Sequence, residues 1–201
     1  MNFEFTNEVA YVAGFIIGDG NLATTRYLVR AVEENENFVQ KFVEIFNKAF
    51  GKKPKTYFDK FNNSHVVYTH SKRIWEFLKN ELEIPVGDKT RTTVIPLAIA
   101  DANVEIKSAF LSGIFDAEGS VVKLVNKKYP NGYPQIQLKM HNPKFVKGIH
   151  EMLKSLGIDS SLYSYADFAL IYIRGTEQSR MFSKIVGFNH YIKAQKLGYF
   201  L

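Results

Sequence analysis

The chain of 201 residues contains no cysteine. That absence excludes disulfides, thiolate zinc sites, iron–sulfur clusters and a thiol nucleophile, and it leaves the redox compartment open. Long apolar runs are missing too. The charge-free stretch near the N-terminal end runs only from Val9 to Gly18, about half of the roughly 20 residues a bilayer span needs. Glu4 and Glu8 precede it where a secretory signal would carry basic residues, so the expectation is an intracellular protein with no membrane partner. Neither G-x-x-x-x-G-K-[ST] nor G-x-G-x-x-G occurs, and His65, His70, His141, His150 and His190 lack H-E-x-x-H spacing. Each histidine is therefore expected to be a polar surface or hydrogen-bonding residue. Trp75, in an amphipathic stretch, is expected in the core.

What is present is ordinary globular composition, 46% hydrophobic with 14% aromatic and 23% charged residues, far from the profile of disorder. At about 150 residues per domain the length allows one large domain or two small ones. The formal charge is +6 and is unevenly spread: residues 1–103 hold 13 basic and 13 acidic side chains, residues 104–201 hold 13 and 7. Within the first part the acids gather between Glu33 and Glu44 and between Glu76 and Glu83. Residues 21–32 and 52–73 hold Arg26, Arg30, Lys52, Lys53, Lys55, Lys60, Lys72 and Arg73 against Asp59 alone. A basic surface of strands and turns points to a polyanion partner.

A diverged internal repeat organises the chain. Val12-Ala-Gly-Phe-Ile-Ile-Gly-Asp-Gly20 matches Leu111-Ser-Gly-Ile-Phe-Asp-Ala-Glu-Gly119 at an offset of 99; Asn35-Glu-Asn-Phe-Val39 lies on Asn142-Pro-Lys-Phe-Val146 at 107, Phe77 on Phe182 at 105 and Lys89 on Lys193 at 104. The jump after the first marker is what one added loop produces, and Asn126 to Tyr133, with Pro130 and Gly132, reads as that loop. Each copy has an apolar helix (Thr6 to Gly18; Glu105 to Ala117) and two strand-like runs (within Leu22 to Val32; within Val121 to Met140). An amphipathic helix ending at Gly51 or Gly157 follows, then two shorter strands and a third helix (Lys72 to Leu82; Glu177 to Val186). The predicted fold class is α+β with pseudo-twofold symmetry: residues 1–87 form one half, 88–104 the connection and 105–201 the other half.

Gly14 with Gly18, and Gly113 with Ala117, give each first helix a strip without bulky side chains. Two such strips can approach until the backbones nearly touch. Symmetry then pairs the helices at the centre and sets Asp19 beside Glu118 at their C-termini. Helix C-termini carry partial negative charge, and a second carboxylate adds repulsion. A hard divalent cation answers that charge, and Mg²⁺ suits one or two protein carboxylates with water and phosphate completing its shell. Flanked by basic strands, such a site suits phosphodiester cleavage.

The two nine-residue segments, Val12 to Gly20 and Leu111 to Gly119, resemble the signature of the LAGLIDADG homing endonucleases in their single-chain, two-motif form. The resemblance covers nearly the whole chain, the order of elements also matching that family's αββαββα half. It implies antiparallel sheets forming a saddle on DNA, a monomer, and a Mg²⁺-dependent double-strand cut in a long target, with Mn²⁺ able to substitute. It assigns Asp19 and Glu118 as metal-binding catalytic acids, joined by the backbone carbonyls of Gly18 and Ala117. It also points to Lys89 and Lys193 as basic residues polarising the scissile phosphate or the attacking water, and to Glu33 as a residue near a water-orienting position. The first copy departs in having Ile17 where the second has Asp116, which is expected to be structural. An alternative on the same scaffold is an intron RNA maturase, with intron RNA as partner, or a DNA-binding protein that no longer cleaves.

Strand parity supplies an independent reading of the interface. From Tyr133 to Met140, Gln135, Gln137 and Lys139 share one face and Ile136, Leu138 and Met140 the other. In the first copy Thr24, Arg26, Leu28 and Arg30 share a face opposite Tyr27, Val29 and Ala31. Such Arg, Gln and Lys side chains can bond base edges in the major groove. Thr24, Arg26, Arg30, Lys123, Gln135, Gln137, Lys139 and Arg174 are the expected DNA contacts.

Overall fold

A helix apolar on every side is stable only when surrounded. In the computed structural model, which describes residues 3–125, 127, 129, 130 and 132–201, two such helices occupy the middle. Helix α1 (Asn7–Asp19) is buried continuously from Val9 to Ile17, and α5 (Val104–Glu118) from Phe110 to Asp116. They run along each other with Gly14 and Gly113 at the contact. A Cβ on Gly14 would run into the Phe110 carbonyl and come within 3.1 Å of Ile114 N; one on Gly113 would meet the Tyr11 carbonyl and lie 2.8 Å from Phe15 N. The backbones are in contact because nothing larger than hydrogen stands between them.

Each central helix runs directly into a sheet. In the first half β1 (Gly20–Leu22), β2 (Leu28–Glu33), β3 (Lys55–Asp59) and β4 (Ser64–His70) form an antiparallel sheet in the order β1-β2-β4-β3. In the second, β5 (Gly119–Leu124), β6 (Tyr133–Met140), β7 (Ser161–Ser164) and β8 (Ala169–Arg174) repeat it as β5-β6-β8-β7. Helices α2 (Glu36–Phe50) and α6 (Pro143–Ser155) bury Phe38, Phe42 and Phe46, and Phe145, Ile149 and Leu153, behind the sheets. The Asn35 and Asn142 markers are their N-caps, with side-chain oxygens accepting from Phe38 N at 3.0 Å and Phe145 N at 3.1 Å. The repeated Asn…Phe pattern is thus a cap followed by a core anchor. Gly51 ends α2 at φ 62°, and Gly157 follows α6 at φ 77°.

Helices α3 (Lys72–Asn80) and α7 (Thr176–Ile185) close the two copies. A short helix, α4 (Leu97–Ala100), lies in the connection, and α8 (Tyr191–Gly198) extends the second copy beyond the predicted order. Of the expected loop from Asn126 to Tyr133, Asn126, Lys128 and Asn131 lie outside the described residues, Gly132 has φ 77° and Tyr133 already begins β6. Trp75 is half-buried rather than fully internal, because its Nε1 donates to the Ala23 carbonyl at 3.0 Å and its ring meets Tyr27 edge-on at 5.6 Å. Among the described residues no helix is long and apolar enough to cross a membrane.

Candidate active site and flanking sheet faces

Asp19 and Glu118 are the last residues of α1 and α5, so the close helix contact brings them together. A Cβ on Gly18 would collide with Ala117 Cβ and lie 3.1 Å from Glu118 Cγ. Burial raises the pKa of both carboxyls, and for Glu118 the neighbouring Asp19 charge raises it further; Lys89 and Lys193 pull both back down. Each lysine lies over the C-terminus of one central helix. Lys89 Nζ donates to the carbonyls of Ile16 at 2.7 Å and Gly18 at 2.5 Å. Lys193 Nζ donates to those of Phe115 at 3.3 Å, Asp116 and Ala117 at 3.2 Å. The positive charge called for by two abutting helix C-termini is supplied in part by the chain itself. Burial draws Lys89 down to about 8 against the pull of both acids, and lowers Lys193 in the same way.

Asp116, 1% exposed, accepts from Tyr11 Oη at 2.7 Å, Asn189 N at 2.9 Å and His190 N at 3.1 Å. Its burial outweighs these donors and sets its pKa at about 6. His190, expected at the surface or in a simple hydrogen bond, is only 7% exposed. Its ring stacks on Phe38 with centroids 4.7 Å apart, and Nε2 faces Glu33 Oε1 at 3.8 Å. Glu33 also accepts from Asn35 N at 2.8 Å; burial works against its charge, but His190 and this N–H hold its carboxyl below the usual range. Nothing in the repeat pattern flags His190, since α8 has no first-half counterpart.

Two clefts flank the acids. One, of 650 Å³, is lined by Asp19, Glu33, Glu34, Lys193 and His190; the other, of 180 Å³, by Glu118, Lys89, Met140, His141 and Thr93. Each pairs an acid of one half with the lysine following the other. Among the described residues no cluster of three or more His, Cys, Asp or Glu side chains could cage a metal ion. The donors on hand are two carboxylates, exposed at Asp19 and half-buried at Glu118, and the neighbouring Gly18 and Ala117 carbonyls, each of which already accepts from a lysine and keeps a second lone pair. That set fits a hard cation taking most of its shell from water and phosphate, not a structural metal.

The outward faces of the sheets carry most of the expected DNA contacts. Arg30 is exposed on β2, its Nε donating to Asn21 Oδ1 at 2.7 Å. Thr24 and Arg26 do not share its strand: they lie in the β1–β2 turn, where Arg26 and Tyr27 have φ 60° and 47°, and Tyr27 is exposed rather than facing the core. Two consecutive left-handed residues break strand parity. On β6, Lys139 is exposed and Gln137 half-buried, but Gln135 is 4% exposed because it lies under Arg174, whose Nε donates to Gln135 Oε1 at 2.8 Å. Lys123 is exposed yet pairs in register with Pro134, on the parity opposite Gln135 and Arg174. A Tyr pair recurs on both outer faces: Tyr57 with Tyr68 at 5.7 Å and Tyr163 with Tyr172 at 5.6 Å.

Residues 105–187 match the LAGLIDADG-like domain family and residues 8–81 the WhiA LAGLIDADG-like domain family. Over 196 residues the chain is 22% identical to homing endonuclease I-ApeI of Aeropyrum pernix, covering 93% of this chain and 86% of that protein. It is 24% identical over 200 residues to the glutamine–fructose-6-phosphate aminotransferase of Methanocaldococcus jannaschii, covering 96% of this chain. The chain spans only 17% of that relative's length and 59% of a second relative from the same organism. Among solved structures, I-DmoI in complex with DNA and Ca matches with a TM-score of 0.66 at 17% identity, covering 97% of this chain and 98% of the other, and related I-DmoI complexes contain DNA with Mn or Mg. With one motif helix in each half and both halves matched, the chain is a single-chain, two-motif LAGLIDADG protein.

Proposed function

We propose that the protein is a site-specific homing endonuclease that makes a double-strand break in DNA by Mg²⁺-dependent phosphodiester hydrolysis, acting as an intracellular monomer. Residues 1–87 and 105–201 would each contact half of the target, joined by residues 88–104. The single observation that carries the reading is the convergence of Asp19, Glu118, Lys89 and Lys193 at the ends of two touching helices. A nuclease needs a desolvated anionic centre able to hold a divalent cation beside cationic groups that stabilise the phosphorane-like charge. Asp19 and Glu118, with the Gly18 and Ala117 carbonyls, would hold Mg²⁺ or Mn²⁺, which supplies an activated water and neutralises the leaving oxygen. Lys89 and Lys193 would orient the scissile phosphates, one in each cleft. On the sheet faces Arg30, Gln137, Lys139 and Arg174 are the residues we assign to the duplex. Thr24 and Arg26 would reach it from the turn, Gln135 would act through Arg174, and Lys123 would touch it from the strand end.

A second reading, a cleavage-free DNA-binding protein on this scaffold, draws on the match of residues 8–81 to the WhiA domain family; an acid at the end of each motif helix weighs against it. The test is to incubate the protein with duplexes spanning the uninterrupted form of the gene that encloses its own. Mg²⁺ or Mn²⁺ should yield a double-strand break, whereas Ca²⁺ should give a bound, uncut complex. Tight binding with no cut under any of these ions favours the second reading, and stimulated splicing of a surrounding intron without cutting favours an RNA role.

A further inference from the structure

The two lysines meet equivalent targets, but the chain delivers them by different means. Lys193 sits within the first turn of α8, and the start of that helix is fastened from two sides. From α5, both carboxylate oxygens of Asp116 accept backbone N–H groups of Asn189 and His190 at 2.9 and 3.1 Å, and Ser112 Oγ accepts from Asn189 Nδ2 at 3.2 Å. A carboxylate receiving the free N–H groups at a helix start is well matched to the dipole. From the other half of the molecule, Phe38 of α2 stacks on the His190 ring and Glu33 faces its Nε2, while Glu33 is itself held by Asn35 N.

Lys89 is held by other means. It lies in a turn where Gly87 N donates to Leu22 O at 2.8 Å, Thr93 Oγ1 to the Lys89 carbonyl at 2.7 Å and Thr90 N to the exposed Asp88 Oδ1 at 2.9 Å, and Asn142 Nδ2 of the other half donates to the Thr93 carbonyl at 2.8 Å. Among the described residues no buried carboxylate and no stacked histidine reaches this turn. At the motif position of Asp116 the first copy has Ile17, which is buried. His190 Nδ1, moreover, is buried without a partner among the described residues. A buried polar atom left unpaired carries a free-energy cost, one that a purely packing residue at this site would avoid.

Resting on the nuclease reading, we infer that Asp116, His190 and Glu33 form a positioning clamp for Lys193. The cleft holding Asp19 thus cuts its strand with a device that the opposite cleft lacks. In this inference all three, including Glu33, which the resemblance sets near a water-orienting position, act by setting where the Lys193 ammonium stands rather than by touching the reacting atoms. Misplacement of a catalytic group by about 1 Å can cost a hundredfold in rate, so loosening the clamp should be visible on one strand only.

The experiment labels either strand of a cleavable duplex and follows nicking in Mg²⁺. Lys193→Met and Lys89→Met first identify which strand depends on each lysine. His190→Ala and Glu33→Gln are then expected to slow the Lys193-dependent strand by about tenfold to a hundredfold, leave the other within about a factor of two and accumulate nicked duplex. Duplex affinity measured in Ca²⁺ should be unchanged. Asp116→Asn should act in the same direction, and the His190 and Glu33 variants keep the test decisive if it folds poorly. Equal slowing of both strands, no slowing, or a loss confined to affinity overturns the clamp while leaving the nuclease reading intact. A wild-type protein that cuts neither strand overturns the reading and the clamp together.

Discussion

The cleft beside Asp19 and the cleft beside Glu118 descend from one repeated unit, yet one measures 650 Å³ and the other 180 Å³. They agree where the helices touch: acid, carbonyls and lysine recur in both. They differ in their walls. Where β2 turns into α2 the chain places Glu33 and Glu34, and where β6 turns into α6 it places Met140 and His141. The lesson is one of tolerance. Gly14 and Gly113 leave no room for drift at the contact, whereas a strand–helix junction capped by a single Asn accepts almost any neighbour. Duplication therefore holds the charged centre symmetric and lets its surroundings diverge.

The strongest attack on this view is to remove the symmetric part. Because both acids sit at one shared centre, Asp19→Asn and Glu118→Gln should each depress cutting of both strands by about a thousandfold, the upper range for losing one preorganised electrostatic partner. Binding in Ca²⁺ should persist within a small factor. Strand-resolved cleavage assays check this, and a variant that silenced only one strand would show that the acids serve separate clefts. Next in size is the helix contact itself. Gly14→Ala and Gly113→Ala each set a methyl against a carbonyl oxygen of the opposing helix, so backbone must move, and each should cost about 3 kcal/mol or more in urea unfolding. Near-equal losses are the symmetric outcome. A much smaller loss at Gly14 would mean that the first half gives way more easily.

How much of this was legible in the residues follows the same division. The Gly-x-x-x-Gly and Gly-x-x-x-Ala spacings, each with an acid after them, are local patterns, and they led to the central helices, their touching faces and the placing of Asp19 beside Glu118. The Asn35 and Asn142 markers likewise named the starts of α2 and α6. What stayed hidden depends on partners that leave no side-chain pattern. The donors to Asp116 are backbone N–H groups and a tyrosine 105 residues away, and His190 is buried by contacts with Phe38 and Glu33 from the other half. Strand parity failed at Arg26 and Tyr27 because positive φ at both residues carries the chain through a turn. It failed to foresee the burial of Gln135 because alternation reports which face a residue takes, not what lies on top of it.

Asp116 offers a sharper probe, since the first half has Ile17 in its place. Its carboxyl titrates at about 6 in the folded protein against an ordinary 3.8, so the folded state binds the proton more tightly than the unfolded chain. The contribution to stability is fully present below the unfolded value and is lost as pH rises through the folded one. Lowering pH from about 7 to about 4 should therefore recover up to about 3 kcal/mol from this group. Asp19 and Glu118 push the same way and Glu33 the opposite way, so the useful quantity is the difference between the wild-type and Asp116→Asn stability curves. That difference should slope between about pH 4 and 6 and be flat above. A flat difference throughout would place the Asp116 pKa back in the ordinary range and make the charged clamp inexpensive to maintain.

The smallest expected effect lies on the sheet faces, where the halves again differ in how they hold one cation. Arg174 is braced on several sides: Nε donates to Gln135, Nη1 to Ser161 Oγ at 3.2 Å, and the guanidinium lies 4.5 Å over the Tyr172 ring. Arg30 is exposed and, among the described residues, has one side-chain hydrogen-bond partner, Asn21. A braced side chain surrenders less rotamer freedom when it meets DNA. Arg174→Ala should therefore cost about 1–2 kcal/mol of duplex affinity in Ca²⁺, and Arg30→Ala less than about 1 kcal/mol, each reducing the salt slope by about one. Gln135→Ala separates bracing from contact. Gln135 is buried beneath the guanidinium and has little surface of its own to offer a duplex, so any affinity it loses must pass through Arg174. If Gln135→Ala leaves affinity unchanged while Arg174→Ala lowers it, the arginine binds without help from its brace. The difference between the two sheets would then be one of packing alone.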